Sequence, residues 1–227
     1  ARRHEMLRLA CADLLGVADL GTVSAGLSSV ADAVVQAAVL AAQRQIAAER
    51  GAGSAATGGA DARPDGDEKP SGDGDSGRRC TPGGHPAGLA GTLAVIAMGR
   101  FGGAEMGYSS DADVLFVAGP ARPGADPGQV LTDAAAIAEL ATRLLGRPSP
   151  DPPLRIDADL RPEGRGGPLV RTVASYQQYW LHHAQPWERQ ALLRARAVAG
   201  DEALATEFLA AAESVRYPAG GLPAADV

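Results

Sequence analysis

Between Arg50 and Gly88 the chain carries almost no large apolar side chain; Gly, Ser, Asp, Pro and Ala fill the stretch. Such a composition buries too little apolar surface to offset the entropy of ordering it. Any core must therefore be built from residues 1–50 and from residue 89 onward. Residues 1–50 are expected to form a helical lead-in, 51–88 a disordered insertion, 89–200 a folded core and 201–227 the start of a C-terminal helical region. Gly53-Ser54, Gly58-Gly59 and Gly83-Gly84 lie in the insertion with no strand before them, so they read as solvated chain and not as phosphate loops. The high counts of Gly (29) and Pro (16) concentrate in this stretch, which excludes a fibrous or wholly disordered class for the rest.

At 227 residues the chain suffices for one well-packed domain with elaborations, or two small ones. A net charge of -6 argues against non-specific binding to nucleic acid or to an anionic membrane, while leaving room for a local arginine cluster to hold a nucleotide. No run approaches the roughly 18 consecutive apolar residues of a membrane span; Gln36 interrupts the stretch Val34–Ala42. Cys11 and Cys80 lack metal-site spacing, which fits a reducing cytoplasm. The start at Ala1-Arg2-Arg3-His4, without Met or a signal pattern, is expected of a piece of a longer protein.

Apolar residues recur at helical spacing over His4–Leu15 and Ser28–Glu49. Thr92–Met98 is a β-rich apolar run of the kind that makes a buried strand, and it ends in Gly99-Arg100-Phe101-Gly102-Gly103. After a short helical segment, Val114–Val117 predicts a second strand. Gln129–Leu145 has helical spacing and stops at Gly146, with Pro148 beyond. Leu154–Arg161 alternates apolar and charged residues and predicts a third strand. Helices are expected over Val173–His183 and Pro186–Val198, and another from near Asp201. The fold class is α/β, a small sheet with helices before and after it.

Chemistry concentrates where Ser109-Ser110-Asp111-Ala112-Asp113 leads into a strand. On extended backbone, residues two apart point the same way, so Asp111 and Asp113 pair their carboxylates on one face while Ala112, Val114 and Phe116 take the other. Close carboxylates are costly unless a cation shares them, and oxygen ligands suit Mg²⁺. Asp157 and Asp159 share a face on the later strand, together with Arg161. A third carboxylate from there would complete a two-metal site of the kind that clamps attacking and leaving oxygens. Gly102 and Gly103 would let backbone N–H groups approach phosphate, Ser109 or Ser110 would add a hydroxyl, and Arg161 and Arg165 would grip phosphate oxygens. A lone Asp-x-Asp or Gly-Gly is ordinary turn chemistry; the combination in this order is rare.

Three blocks now resemble a known family. Ala94–Asp113, containing Gly99-Arg100-Phe101-Gly102-Gly103 and Tyr108-Ser109-Ser110-Asp111-Ala112-Asp113, is similar to the signature of the glutamine synthetase adenylyltransferase/adenylyl-removing enzymes. So are Asp157–Val170, beginning Asp157-Ala158-Asp159-Leu160-Arg161-Pro162-Glu163-Gly164-Arg165-Gly166-Gly167, and Ala184–Arg196, beginning Ala184-Gln185-Pro186-Trp187-Glu188-Arg189-Gln190. The resemblance implies a polymerase-β-like nucleotidyltransferase fold, with a small mixed sheet, flanking helices and helical extensions. It implies that Asp111, Asp113 and Asp157 bind Mg²⁺, that Gly102, Gly103 and Ser110 position ATP, and that Asp157 accepts the proton. Asp159 is left as an accessory acid.

The implied reaction moves AMP from ATP to a tyrosine of glutamine synthetase. A PII signal protein is the further partner the resemblance suggests, through regions outside this chain. The Gly107-Tyr108-Ser109-Ser110 variant and the Gln185-Pro186-Trp187 block look more like the adenylylating copy of the two nucleotidyltransferase domains in this family. Phosphorolytic removal of AMP is the alternative, and an idle nucleotide-binding module a second. Elsewhere, His182-His183 reads as a helix end, because adjacent helical residues do not face each other. Tyr176, Tyr179, Trp180 and Trp187 read as core of a helical layer, and Arg189, Arg194 and Arg196 as a charged face, with Arg194 or Arg196 a weaker candidate for phosphate.

Overall fold

The computed structural model describes residues 2–57, 87–148 and 153–218. Two helices open the chain, α1 (Arg2–Leu14) and α2 (Leu20–Thr57). They are followed by β1 (Gly91–Ala97), α3 (Gly99–Gly102), β2 (Ala112–Pro120), α4 (Pro127–Leu145) and β3 (Ile156–Asp157). After a 3₁₀ turn at Gly164–Gly166 come β4 (Val170–Thr172), α5 (Val173–His183), α6 (Pro186–Leu192), β5 (Arg196–Gly200) and α7 (Glu202–Arg216).

The sheet is small and mixed. Strand β1 lies between β2 and β5, antiparallel to both, while β3 and β4 run parallel to β2 along its other edge. All seven residues of β1 are buried. Covered on both faces, it reads as a continuous apolar run with no polar alternation. Leu93, Val95, Ala97, Ala112, Val114 and Phe116 pack into one cluster with α1, α2 and α4. Ala94, Ile96, Met98, Leu115 and Val117 face the opposite way, against α5, α6 and α7. There Tyr176, Phe208 and Trp180 form an aromatic nucleus, with the rings of Tyr176 and Phe208 edge-on at 5.0 Å and the Tyr176 hydroxyl donating to the Phe116 carbonyl at 3.2 Å.

Several expectations need correction. Helix α2 begins at Leu20, capped where Asp19 Oδ1 accepts the Thr22 N–H at 2.7 Å, and it continues to Thr57, into the segment expected to be disordered. The remainder of that segment, with Cys80, lies outside the described residues. Among the described residues α2 is long and apolar enough to cross a membrane over Leu20–Gly51. Its Val23, Leu27, Ala31, Val35, Val39 and Ala42 belong to the protein's own core. The strand expected over Leu154–Arg161 lasts only two residues. Asp157 Oδ1 accepts the Asp159 N–H at 2.8 Å, turning the chain there. The helix expected to reach Val198 stops at Leu192, and Arg196–Gly200 is an edge strand. Trp187 is not core: it is 49% exposed.

Candidate active site

Strand β2 presents Asp113 on the same side as the buried Leu115 and Val117, as alternation requires, while Ala112 and Val114 are buried on the other. The parallel ladder sets Asp113 directly opposite Asp157 on β3, with Ala112 opposite Ile156. Residues opposed in a ladder share a face, so the two carboxylates come from adjoining strands onto one side. Burial first, then the charges of Asp157 and Asp111, hold the Asp113 carboxyl above the ordinary carboxylate range. Asp111, exposed just before the strand, is thus within electrostatic reach of the same point. Among the described residues no three His, Cys, Asp or Glu side chains stand in a ready-formed metal cluster. Three carboxylates that repel one another are nonetheless what a hard cation would draw together.

The glycine turn sits against this face. Met98, at the end of β1, donates its N–H to the Asp113 carbonyl at 2.8 Å, so α3 starts beside the carboxylates. Gly99 has φ +52, and a Cβ there would lie 2.3 Å from Asp113 Oδ2. Only glycine lets the carboxylate occupy that space. Sequence alone assigns Gly99 no role; its signal is a glycine at the strand-to-helix junction.

The sequence-predicted phosphate residues divide. The N–H groups of Gly102 and Gly103 donate to the carbonyls of Met98 at 2.6 Å and Gly99 at 3.1 Å, so both shape the turn. Gly102 is also pressed against backbone: a Cβ there would lie 2.0 Å from the Arg194 carbonyl oxygen. Ser110 Oγ accepts the Gly107 N–H at 2.9 Å and closes the loop before Asp111; Ser109 is exposed. Arg161 is 11% exposed and donates to the carbonyls of Ala158 at 2.8 Å and Gly167 at 3.3 Å. Arg165 is 86% exposed, its Nε bonded to Asp159 Oδ2 at 2.6 Å. Asp159 therefore serves the two arginines of its loop, which separates its role from that of Asp157. Arg194 pairs with Glu105 on the surface, and Arg196 turns inward, to Asp32 and to the carbonyls of α3. Beside Asp111 a cavity of 530 Å³ opens between α1, α2 and the loops at 106–111 and 153–155, with Leu27, Val30 and Ala31 in its apolar wall.

The family model described as glutamate-ammonia ligase adenylyltransferase matches residues 1–62 and 76–211. The chain belongs to this family.

Similar proteins of the glutamate-ammonia ligase adenylyltransferase family include a "Bifunctional glutamine synthetase adenylyltransferase/adenylyl-removing enzyme" from Nocardia farcinica. It is 48% identical over 221 residues, which are 97% of this chain and 18% of the relative. Relatives of the same name from Mycobacterium leprae and Mycobacterium tuberculosis H37Rv are 46% and 44% identical, covering 98% and 100% of this chain and 18% and 19% of their own lengths. The chain spans about a fifth of the curated relatives it matches. As a family member it has a mixed α/β fold, and the match includes all of α1 and α2.

Proposed function

We propose that this chain transfers AMP from ATP to a tyrosine hydroxyl of glutamine synthetase. The observation that carries the reading is the parallel register that sets Asp113 opposite Asp157, with Asp113 held above its ordinary range by burial first, then by that neighbour and by Asp111. A site that keeps like charges this close, half-buried and beside a glycine turn, spends stability that a structural copy would not need to spend.

The donor set of Asp111, Asp113 and Asp157 fits Mg²⁺: all three are hard oxygen ligands, and the penalty on Asp113 is of the kind a cation removes. Bound there, the metal would neutralise charge on the transferring phosphoryl group and on the departing pyrophosphate. The protein's own part is placement. Asp157, oriented by the Asp159 N–H on its Oδ1, keeps its other oxygen for the proton of the incoming hydroxyl. The tyrosine oxygen then bonds to the α-phosphorus as the bond to the bridging α–β oxygen breaks in line. Arg165, the more exposed of the two loop arginines, is the one with freedom to reach phosphate oxygens, while Arg161 holds the loop. Gly102, Gly103, Ser109 and Ser110 set the contour against which ATP lies. The cavity beside Asp111 gives a reactant room. ATP as donor, together with the free, exposed thiol of Cys11, supports a reducing cytoplasmic setting. A PII signal protein would act through other parts of the polypeptide.

Replacing Asp111 by Asn removes one charged oxygen at an exposed position and should abolish transfer of label from [α-³²P]ATP to glutamine synthetase while preserving the fold by circular dichroism. Unchanged turnover overturns the assignment. Incubating adenylylated glutamine synthetase with phosphate tests the reverse, phosphorolytic reaction: release of ADP with no labelling in the forward direction would assign the chain to removal instead.

A further inference from the structure

Helix α2 carries Ser28, Asp32 and Gln36 at four-residue intervals, a single stripe on a helix. Ser28 Oγ accepts the Met106 N–H at 3.2 Å, and Gln36 Oε1 accepts the Gly200 N–H at 2.8 Å. Between them, Asp32 takes Arg196 in a two-pronged ion pair, Nη1 to Oδ2 at 2.8 Å and Nη2 to Oδ1 at 3.1 Å. The same guanidinium donates onward, from Nη2 to the Phe101 carbonyl at 3.1 Å and from Nε to the Gly102 carbonyl at 3.2 Å. It also stands 5.7 Å from the centre of the Phe101 ring.

Four donor contacts from one side chain thus join three elements: α2, the first residue of β5 and the end of α3. Helix α3 has only four residues; its Phe101 carbonyl accepts the Ala104 N–H at 3.2 Å, and Arg196 adds a second donor there and one on the Gly102 carbonyl. The guanidinium also places a positive charge at the helix end where it is favoured. The planar fork of arginine permits this; a lysine ammonium, a single point charge, cannot span a carboxylate and two diverging carbonyls together. Both partners are partly sheltered, with side chains 35% and 30% exposed.

We infer that Asp32 and Arg196 are positioning residues, a clamp by which the N-terminal helix fixes the glycine turn relative to the carboxylates and so sets where the nucleotide's phosphates lie. Neither residue touches a reactant. The inference rests on the adenylyl-transfer reading for its kinetic consequences and stands on geometry for its structural one.

The test uses the full polypeptide that carries these residues, with Arg196→Lys, Asp32→Asn and Gln36→Ala. The Lys variant should raise KM for ATP and lower kcat, each about tenfold, since misplacement near 1 Å costs on the order of 10²-fold in all. KM for glutamine synthetase should not change. Amide hydrogen exchange should quicken at residues 99–103. Asp32→Asn should act in the same direction and by less. Gln36→Ala, whose contact is at the other end of β5, should lower the melting temperature without moving KM for ATP. Loss of activity in the Lys variant with both KM values unaltered would indicate only a smaller folded fraction and would overturn the inference. So would parental exchange at 99–103. A parent protein that transfers no AMP would count against the functional reading alone, and the exchange comparison would still decide the clamp.

Discussion

Gly102 and Gly103 are neighbours in sequence with opposite demands on space, which makes them a sharp test of how the turn is built. An ideal Cβ on Gly102 would lie 2.0 Å from the Arg194 carbonyl oxygen and 2.7 Å from that of Ala97, and both obstacles are backbone. To reach even the 3.0 Å that real Cβ atoms respect, the Arg194 carbonyl must withdraw by about 1 Å. That carbonyl is two residues from Arg196, so the movement enters the clamp on α3. Overpacking of this kind costs roughly 1–3 kcal/mol. For a domain of this size that lowers the melting temperature by roughly 2–12 °C. A displacement near 1 Å beside the reacting groups costs on the order of 10²-fold in rate. On Gly103 the same atom would meet the Arg194 Nη1 at 3.3 Å and Glu105 Cδ at 3.5 Å, both at the ends of exposed side chains that can move. Its φ of -76 suits alanine. Gly102→Ala should therefore melt lower and transfer AMP far more slowly, while Gly103→Ala should keep the parental melting temperature. Scanning fluorimetry and label transfer from ATP measure both. A Gly102→Ala protein with parental stability and turnover would refute the account of the turn.

Asp133 is 1% exposed on α4 and accepts from Arg50, Gln129 and the backbone of Ala90 and Gly91, with the closest contact 2.7 Å. Asp133→Ala should cost about 3–5 kcal/mol in urea unfolding, because it leaves buried donors at the start of β1 without an acceptor; a loss under about 1 kcal/mol would show that those donors find other partners. For Asp113 the sign follows from its raised pKa, caused by burial and then by Asp157 and Asp111. The folded protein holds that proton more tightly than the unfolded chain, so the contribution to stability is complete below the unfolded value and is lost as pH rises through the folded one. In EDTA, Asp113→Asn should thus gain melting temperature relative to the parent as pH rises from acid to neutral, and, assayed separately with Mg²⁺, it should lose AMP transfer. A difference that stays flat across this range would remove the charge cluster from the explanation.

The parts of the fold that were legible are those in which a residue's neighbours in sequence are also its physical environment. Thr92–Met98 and Val114–Val117 declare strands because they are apolar and β-rich, and Gln129–Leu145 declares a helix by its spacing; the structure starts it two residues earlier, at Pro127, with Asp126 Oδ2 accepting the Gln129 N–H at 2.8 Å. The residues at 196–200 were illegible: Arg-Ala-Val-Ala-Gly continues a helical composition, and only pairing with β1 makes it a strand. The brevity of β3 was equally hidden, because Asp159 leaves the period-two pattern intact while its backbone turns to Asp157.

The alternation along β2 was enough to place Asp113 on the side away from Ala112 and Val114, since a strand's period is a property of the backbone itself; Asp111 precedes the strand and lines the cavity beside α1 and α2. Which arginine meets which partner was not readable. Arg161, Arg165, Arg194 and Arg196 have the same chemistry, and burial and the position of distant acceptors alone sent one to its own loop, two to surface carboxylates and the last to Asp32, 164 residues away in the chain. Local chemistry determines what a side chain can bind; the tertiary fold decides what is within its reach.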